Sequence, residues 1–190
     1  MDDADETLKG LAGGNARFAR SESPKLRARL AKGQHPKAAI LYCSDSREVA
    51  EKIFGLEKRG EIFGVRLAGN AATEEAIGSV VYAVERLHVP VVIVLGHTKC
   101  GAVAAAKQGV GGEDPALQKL ISHIAPDEKE NVRKQCDALL TNGAIDKRVK
   151  EGKVEIVGAL HDMEHGQVEV LLRYSAEHSE AEKMREGRRS

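Results

Sequence analysis

Val91-Val92-Ile93-Val94-Leu95 is five consecutive apolar residues, four of them β-branched, closed by Pro90 on one side and Gly96 on the other. A segment apolar at every position, rather than at every second one, cannot turn one side to water. It therefore predicts a strand buried on both faces at the centre of a parallel sheet. Such a strand needs helices above and below, and the chain supplies the alternation. Strands are expected at 38–42 and 61–66, and a helix at 48–54. A second helix opens at Thr73-Glu74-Glu75 and carries Ile77, Val80, Val81, Val84 and Leu87 at helical spacing; a third spans 102–107. Ala68-Gly69-Asn70 reads as a tight connection. Beyond a glycine-rich loop at 108–114, helices are expected at 115–124 and 127–140, a fourth strand at 154–160 and an edge strand at 167–172. Ahead of the sheet, 6–20 has an amphipathic helical pattern interrupted at Gly13-Gly14, followed by a short basic helix at 25–32. The fold class is thus α/β: a mostly parallel central sheet of four strands plus an edge strand, flanked by helices, with an N-terminal helical arm.

With 190 residues, 42% of them apolar, the chain is long enough for one core and short for two. We read 1–190 as a single domain, with 1–32 as the arm and 176–190 as a polar tail ending in Arg185, Arg188 and Arg189. Lys plus Arg equals Asp plus Glu at 29 each, so no charge excess points to nucleic acid or a membrane surface as partner. The acidic start Met1-Asp2-Asp3-Ala4-Asp5-Glu6 lacks the basic and apolar regions of a secretory leader, and the expected compartment is the cytoplasm. In a reducing compartment, an odd count of three cysteines favours metal or thiol chemistry over a disulfide framework.

The central strand breaks into Gly96-His97-Thr98-Lys99-Cys100-Gly101. Loops at the carboxyl ends of parallel strands are where open α/β sheets build their sites. His97 and Cys100, three apart, can reach one ion. Cys43 ends the first strand, which can neighbour the third at the switch point of a doubly wound sheet, and is the natural third ligand. Cys136, on the apolar face of a helix, is the alternative and reads more simply as a core thiol. Zinc takes such sulfur and nitrogen donors, and a catalytic site keeps a fourth position open. Each residue alone has a plainer explanation: His97 as a capped or core histidine, Asp45 as an N-cap on the helix near Glu48. Together, a carboxylate two residues beyond Cys43 and Arg47 beside it form a charge-assisted pair next to the thiols.

Cys43-Ser44-Asp45-Ser46-Arg47 with Gly96-His97-Thr98-Lys99-Cys100-Gly101 resembles the signature pair of the β-class carbonic anhydrases. The likeness runs through Gly14-Asn15-Ala16-Arg17-Phe18, Gly33-Gln34-His35-Pro36, Arg66-Leu67-Ala68-Gly69-Asn70, Asn131-Val132 and Gly158-Ala159-Leu160-His161-Asp162, over about residues 8 to 172. The resemblance implies zinc (Zn2+) held by Cys43, His97 and Cys100, with Asp45 and Arg47 as the family's dyad. It also implies that Gln34 donates its amide to a substrate oxygen across a dimer interface, in a homodimer or a tetramer of dimers. The activity implied is a lyase reaction, the reversible hydration of carbon dioxide to bicarbonate by zinc-bound hydroxide. On the same scaffold, carbonyl sulfide or carbon disulfide is the alternative substrate. A zinc-stabilised interaction protein without turnover is disfavoured by the intact Asp45, Arg47 and Gln34, and a nucleotide-binding module by the lack of a G-x-G-x-x-G or P-loop.

Departures from the family pattern are Leu67 in place of Asn, His161 in place of Tyr, and a slightly long 57–60. Ile40 also stands where a Trp accompanies a regulatory bicarbonate pocket. His35, His161 and His165 are candidate proton shuttles only by residue type, and each reads as an ordinary surface histidine.

Overall fold

The computed structural model describes residues 3–56, 58–109 and 112–177. Among them, one sheet holds five strands: β1 Ala38–Cys43, β2 Ile62–Leu67, β3 Val91–His97, β4 Glu155–His161 and β5 Val168–Tyr174. Their order is β2-β1-β3-β4-β5, with every pairing parallel except the last, where β5 runs antiparallel along β4. The helices in chain order are α1 Ala4–Ser21, α2 Pro24–Leu30, α3 Ala50–Ile53, α4 Glu74–Glu85, α5 Gly101–Lys107, α6 Pro115–Ser122, α7 Glu128–Leu140 and α8 Gly143–Lys150. The tail from 178 onward, with Arg185, Arg188 and Arg189, lies outside the described residues, as does Glu57 of the 57–60 segment. No helix among the described residues is long and apolar enough to cross a membrane.

The chain divides into two compact units, Met1–Gln34 and His35–Ser190. In the first, Asp3 caps α1 by accepting from the Asp5 N–H, and Asp5 and Glu6 place negative charge at its positive end. The helix passes through Gly13-Gly14 unbroken, contrary to the interruption expected there. A glycine costs a helix about 1 kcal/mol, which weakens 18 residues of helix without ending them. Ser23 caps α2 and Pro24 occupies its first turn.

In the second unit the two faces of the sheet are packed differently. Ala39, Leu41, Val92, Val94, Ile156 and Leu160 form a core with Val80 and Val84 of α4, Val132 and Leu139 of α7, and Ile145 and Val149 of α8. On the opposite face, Ala38, Ile40, Tyr42, Leu95 and Ala159 meet Ala50 of the single-turn α3, with Ile53 and Phe54 beside it. Every residue of β1 is buried. β3 runs two residues past the expected end at Leu95, because Gly96 and His97 continue the ladder opposite Leu160 and His161. Gly96 is required there by packing: a Cβ would meet Val132 Cγ2 of α7 at 2.5 Å.

Helix α8 was absent from the pattern read along the sequence. Its start is set by Asn142, whose side chain accepts from the Ala144 and Ile145 N–H groups, and its buried stripe is only Ile145 and Val149. The helix expected at 48–54 is shorter and begins at Ala50, capped by Val49 without a side-chain hydrogen bond.

Candidate metal centre

β1 and β3 lie side by side, with Tyr42 opposite Leu95, so Cys43 and His97 emerge together at the carboxyl edge of the sheet. Cys100 follows three residues later as the N-cap of α5, after a turn in which Lys99 takes a left-handed φ of 58°. The ligand atoms of Cys43, His97 and Cys100 all lie within 4.8 Å of one another, and all three residues are buried. The two sulfurs are 4.0 Å apart. Cys136 is elsewhere: it is fully buried in the apolar core with α7 and takes no part in the group.

His97 carries the clearest sign of an intended occupant. Its Nδ1 donates to the carbonyl of Thr98 at 2.9 Å, which leaves the Nε2 lone pair as the free end. That Nε2 is buried without a hydrogen-bond partner. A buried polar atom left unsatisfied costs about 1–3 kcal/mol, so the position needs a further electron-pair acceptor. Two sulfurs and one imidazole nitrogen are a donor set suited to zinc.

Backbone groups prepare the first ligand. The N–H groups of Gly69 and Asp45 point at Cys43 Sγ, at 3.2 and 3.4 Å. Gly69 reaches that place with a φ of +62°, and a Cβ on it would meet Ile124 Cδ1 at 2.5 Å. The hydrogen bond with Cys100 is the largest influence holding the Cys43 thiol well below its ordinary range; burial opposes it, and His97 with these N–H groups adds to it. Cys100 is pushed up correspondingly, by that same bond and by burial. For His97, burial disfavours the charged ring, but its contacts with Cys43 and the Thr98 carbonyl outweigh that and raise its pKa.

Asp45 sits above the ligands. Arg47 grips it with two parallel bonds, Nε to Oδ1 at 2.9 Å and Nη2 to Oδ2 at 2.6 Å, and its own N–H adds a third to Oδ1. These bonds hold the Asp45 carboxyl far below the usual carboxylate range. Asp45 Oδ2 is 4.0 Å from His97 Nε2. Asp45 is not the cap of α3, which begins five residues later. The turn that carries it is braced by Arg66, whose guanidinium donates to the carbonyls of Cys43, Asp45 and Glu48 and lies over the Tyr42 ring.

Gln34 is exposed at the end of the first unit. His35 is exposed, and His165 is largely exposed and paired with Asp162 at 2.8 Å. His161 is not a surface residue: it is buried and bonded to the buried Glu48. A buried amide network also escaped sequence reading. Asn131 donates to the Gly69 carbonyl and accepts from Ala125 and Gln135, while Gln135 accepts from Ala72 and donates to the His123 carbonyl. The network pins the loop that presents the Gly69 N–H. Polar residues at i and i+4 on an otherwise amphipathic helix were its only local signal.

Residues 38–130 match the family model described as carbonic anhydrase. The chain is 35% identical over 183 residues to carbonic anhydrase 2 of Mycobacterium tuberculosis, covering 83% of this chain and 88% of that protein. Among solved structures, the β-carbonic anhydrase CcaA superposes with a TM-score of 0.78 at 24% identity, covering 90% of this chain and 95% of the other. One of two tetrameric β-carbonic anhydrases from Sordaria macrospora superposes at 0.75 with 23% identity, over 90% of this chain and 100% of that one.

Proposed function

The chain belongs to the β-class carbonic anhydrases and is an enzyme of that family, and from this we propose that Cys43, His97 and Cys100 hold zinc for the reversible hydration of carbon dioxide to bicarbonate. The observation that carries the reading is the orphaned His97 Nε2 among two thiols, with the Arg47-held Asp45 carboxylate 4.0 Å away. When bound, zinc supplies the Lewis acidity that brings the pKa of a water toward ~7.

The residues of this chain do the rest. Two thiolates neutralise much of a divalent charge, which leaves more to the surrounding groups than a three-histidine site would. Asp45, kept ionised by Arg47, accepts the hydrogen of the attacking oxygen and so turns a lone pair of that oxygen toward the carbon. Because both Asp45 oxygens are engaged by a planar fork, the carboxylate cannot rotate freely, and the nucleophile inherits that orientation. Gln34 is assigned to a substrate oxygen in the site of a neighbouring subunit, which makes the working unit a homodimer or a tetramer of dimers. Three free thiols agree with a reducing compartment such as the cytoplasm. We read 1–190 as one catalytic domain led by its helical arm.

Asp45 stays ionised well below neutrality, so loss of activity between about pH 8 and 5 follows protonation of the nucleophile and not of Asp45. Stopped-flow carbon dioxide hydration, with zinc content measured, tests the whole reading. Zinc-loaded wild type turns over, and Asp45→Ala keeps its zinc while losing about 10- to 100-fold in kcat. Zinc-loaded wild type without turnover would sink the reading, and a far better kcat/KM for carbonyl sulfide or carbon disulfide would move the substrate assignment.

A further inference from the structure

Beneath the Asp45 turn, a buried acid meets a buried histidine. Glu48 is 1% exposed and His161 9%, and His161 Nδ1 donates to both Glu48 oxygens, at 2.9 and 3.2 Å. A carboxylate this deep is rare unless paired. The two residues are 113 positions apart, and neither belongs to the ligand group. Nor does Glu48 cap α3, whose N-cap Val49 offers no side-chain bond. Among the described residues its side chain bonds His161 alone.

The backbones of these two residues belong to opposite halves of the site. The Glu48 N–H donates to the Asp45 carbonyl at 3.0 Å, and Arg66 Nη2 bonds the carbonyls of Asp45 and Glu48 together. Glu48 thus closes the turn that carries Asp45 and Arg47. On the other side, the His161 carbonyl accepts from the Thr98 N–H at 3.0 Å, and the Thr98 carbonyl in turn accepts from His97 Nδ1. A continuous run of hydrogen bonds therefore leads from Asp45 through Glu48, His161 and Thr98 to the His97 ring. A buried polar pair is a poor source of net stability, because desolvation offsets the attraction, so its worth lies in fixing geometry.

Building on the zinc-hydratase reading above, we propose that Glu48 and His161 are a positioning pair that locks the Asp45–Arg47 turn to the His97–Cys100 loop and so sets where the Asp45 carboxylate points. Supporting groups of this kind are worth about 10- to 100-fold in metal affinity or activity. Because Glu48 acts through Asp45, its contribution exists only while Asp45 is present.

The test compares zinc-loaded Glu48→Ala and Glu48→Gln, each in the wild-type and the Asp45→Ala backgrounds, with zinc content, kcat and KM measured. Amide exchange at residues 48 and 98 is followed in the metal-free proteins. Glu48→Ala lowers kcat about 10- to 100-fold with one zinc retained and KM little moved, and the loss disappears in the Asp45→Ala background. Glu48→Gln, whose amide oxygen still accepts from Nδ1, recovers most of the rate. Exchange at 48 and 98, on opposite halves of the site, speeds up together in Glu48→Ala. The proposal falls if kcat is unchanged, if the loss is the same in both backgrounds, or if zinc is lost along with the rate. Should Glu48→Ala fail to fold, Glu48→Asp withdraws the carboxylate by one methylene and carries the same comparisons. Wild type without turnover would overturn the hydratase reading alone: the exchange data then decide the tether, a joint rise supporting it and no change overturning it.

Discussion

Cys43 and Cys136 are both out of reach of solvent, at 4% and 0% exposure, and they have opposite chemistry. Cys136 lies in a core with Val132, Leu139 and Ile145, and burial pushes its thiol up to about 12. Cys43 is surrounded by groups that favour negative charge: the Cys100 thiol first, then His97 and the N–H groups of Asp45 and Gly69. Depth alone would make both thiols inert. What separates them is the aim of a few hydrogen-bonding groups, two side chains and two backbone N–H groups, fixed by strand ends and a glycine turn.

The comparison breaks most completely at Cys43→Ser. A hydroxyl is not deprotonated near neutrality, so zinc affinity falls by at least the ~100-fold that losing a supporting group alone can cost. Metal content after dialysis against a weak chelator checks it, and full retention of zinc would contradict the ligand assignment. Cys136→Ser is the counterpart. It keeps its zinc and its rate, but a hydroxyl in an apolar core costs about 1–3 kcal/mol of stability by denaturant titration; metal loss there would mean the two cysteines are less distinct than argued. Gly69→Ala disturbs a backbone donor to Cys43 while leaving all three ligands in place. The left-handed φ costs a side chain about 1–2 kcal/mol, Ile124 must shift, and zinc binding weakens without loss of any ligand. An unchanged zinc affinity would remove Gly69 from the account.

The smallest effect is that of Arg47→Ala on the metal-free protein. Arg47 holds the folded pKa of Asp45 below its unfolded value, so the pair contributes stability above the unfolded pKa of about 3.9 and loses it as pH falls through the folded value. The gap in Tm between wild type and Arg47→Ala is therefore flat from about pH 8 to 5 and closes below about pH 4. A gap that widens toward acid has the wrong sign for this pair.

Most of the sheet was legible in the sequence because its strands are apolar at nearly every position, and that pattern needs no partner to be recognised. Cys43, His97 and Cys100 stood out for a related reason, since soft donors directly after such strands have few structural uses. The Glu48–His161 pair left no local trace. Glu48 read as the first residue of a helix and His161 as a surface histidine; they meet because β1, which leads to Glu48, and β4, which ends in His161, flank the same strand β3. Helix α8 was missed because Ile145 and Val149 make too short a stripe, although the Asn142 cap was there to be read. Gly13-Gly14 failed in the other direction: local propensity marked a break that the rest of α1 overrides.

The parallel pairing of β1 with β3 also has a kinetic consequence. Cys43 meets His97 only after a long excursion of chain has closed into that ladder, so the complete site cannot exist in a partly folded molecule that lacks the central pairing. An ion that requires all three ligands is a late arrival on the folding route, and its grip is felt chiefly on the way out. Under the proposed assignment, zinc is expected to lengthen the lifetime of the native state by slowing unfolding, with the rate of folding close to that of the metal-free chain.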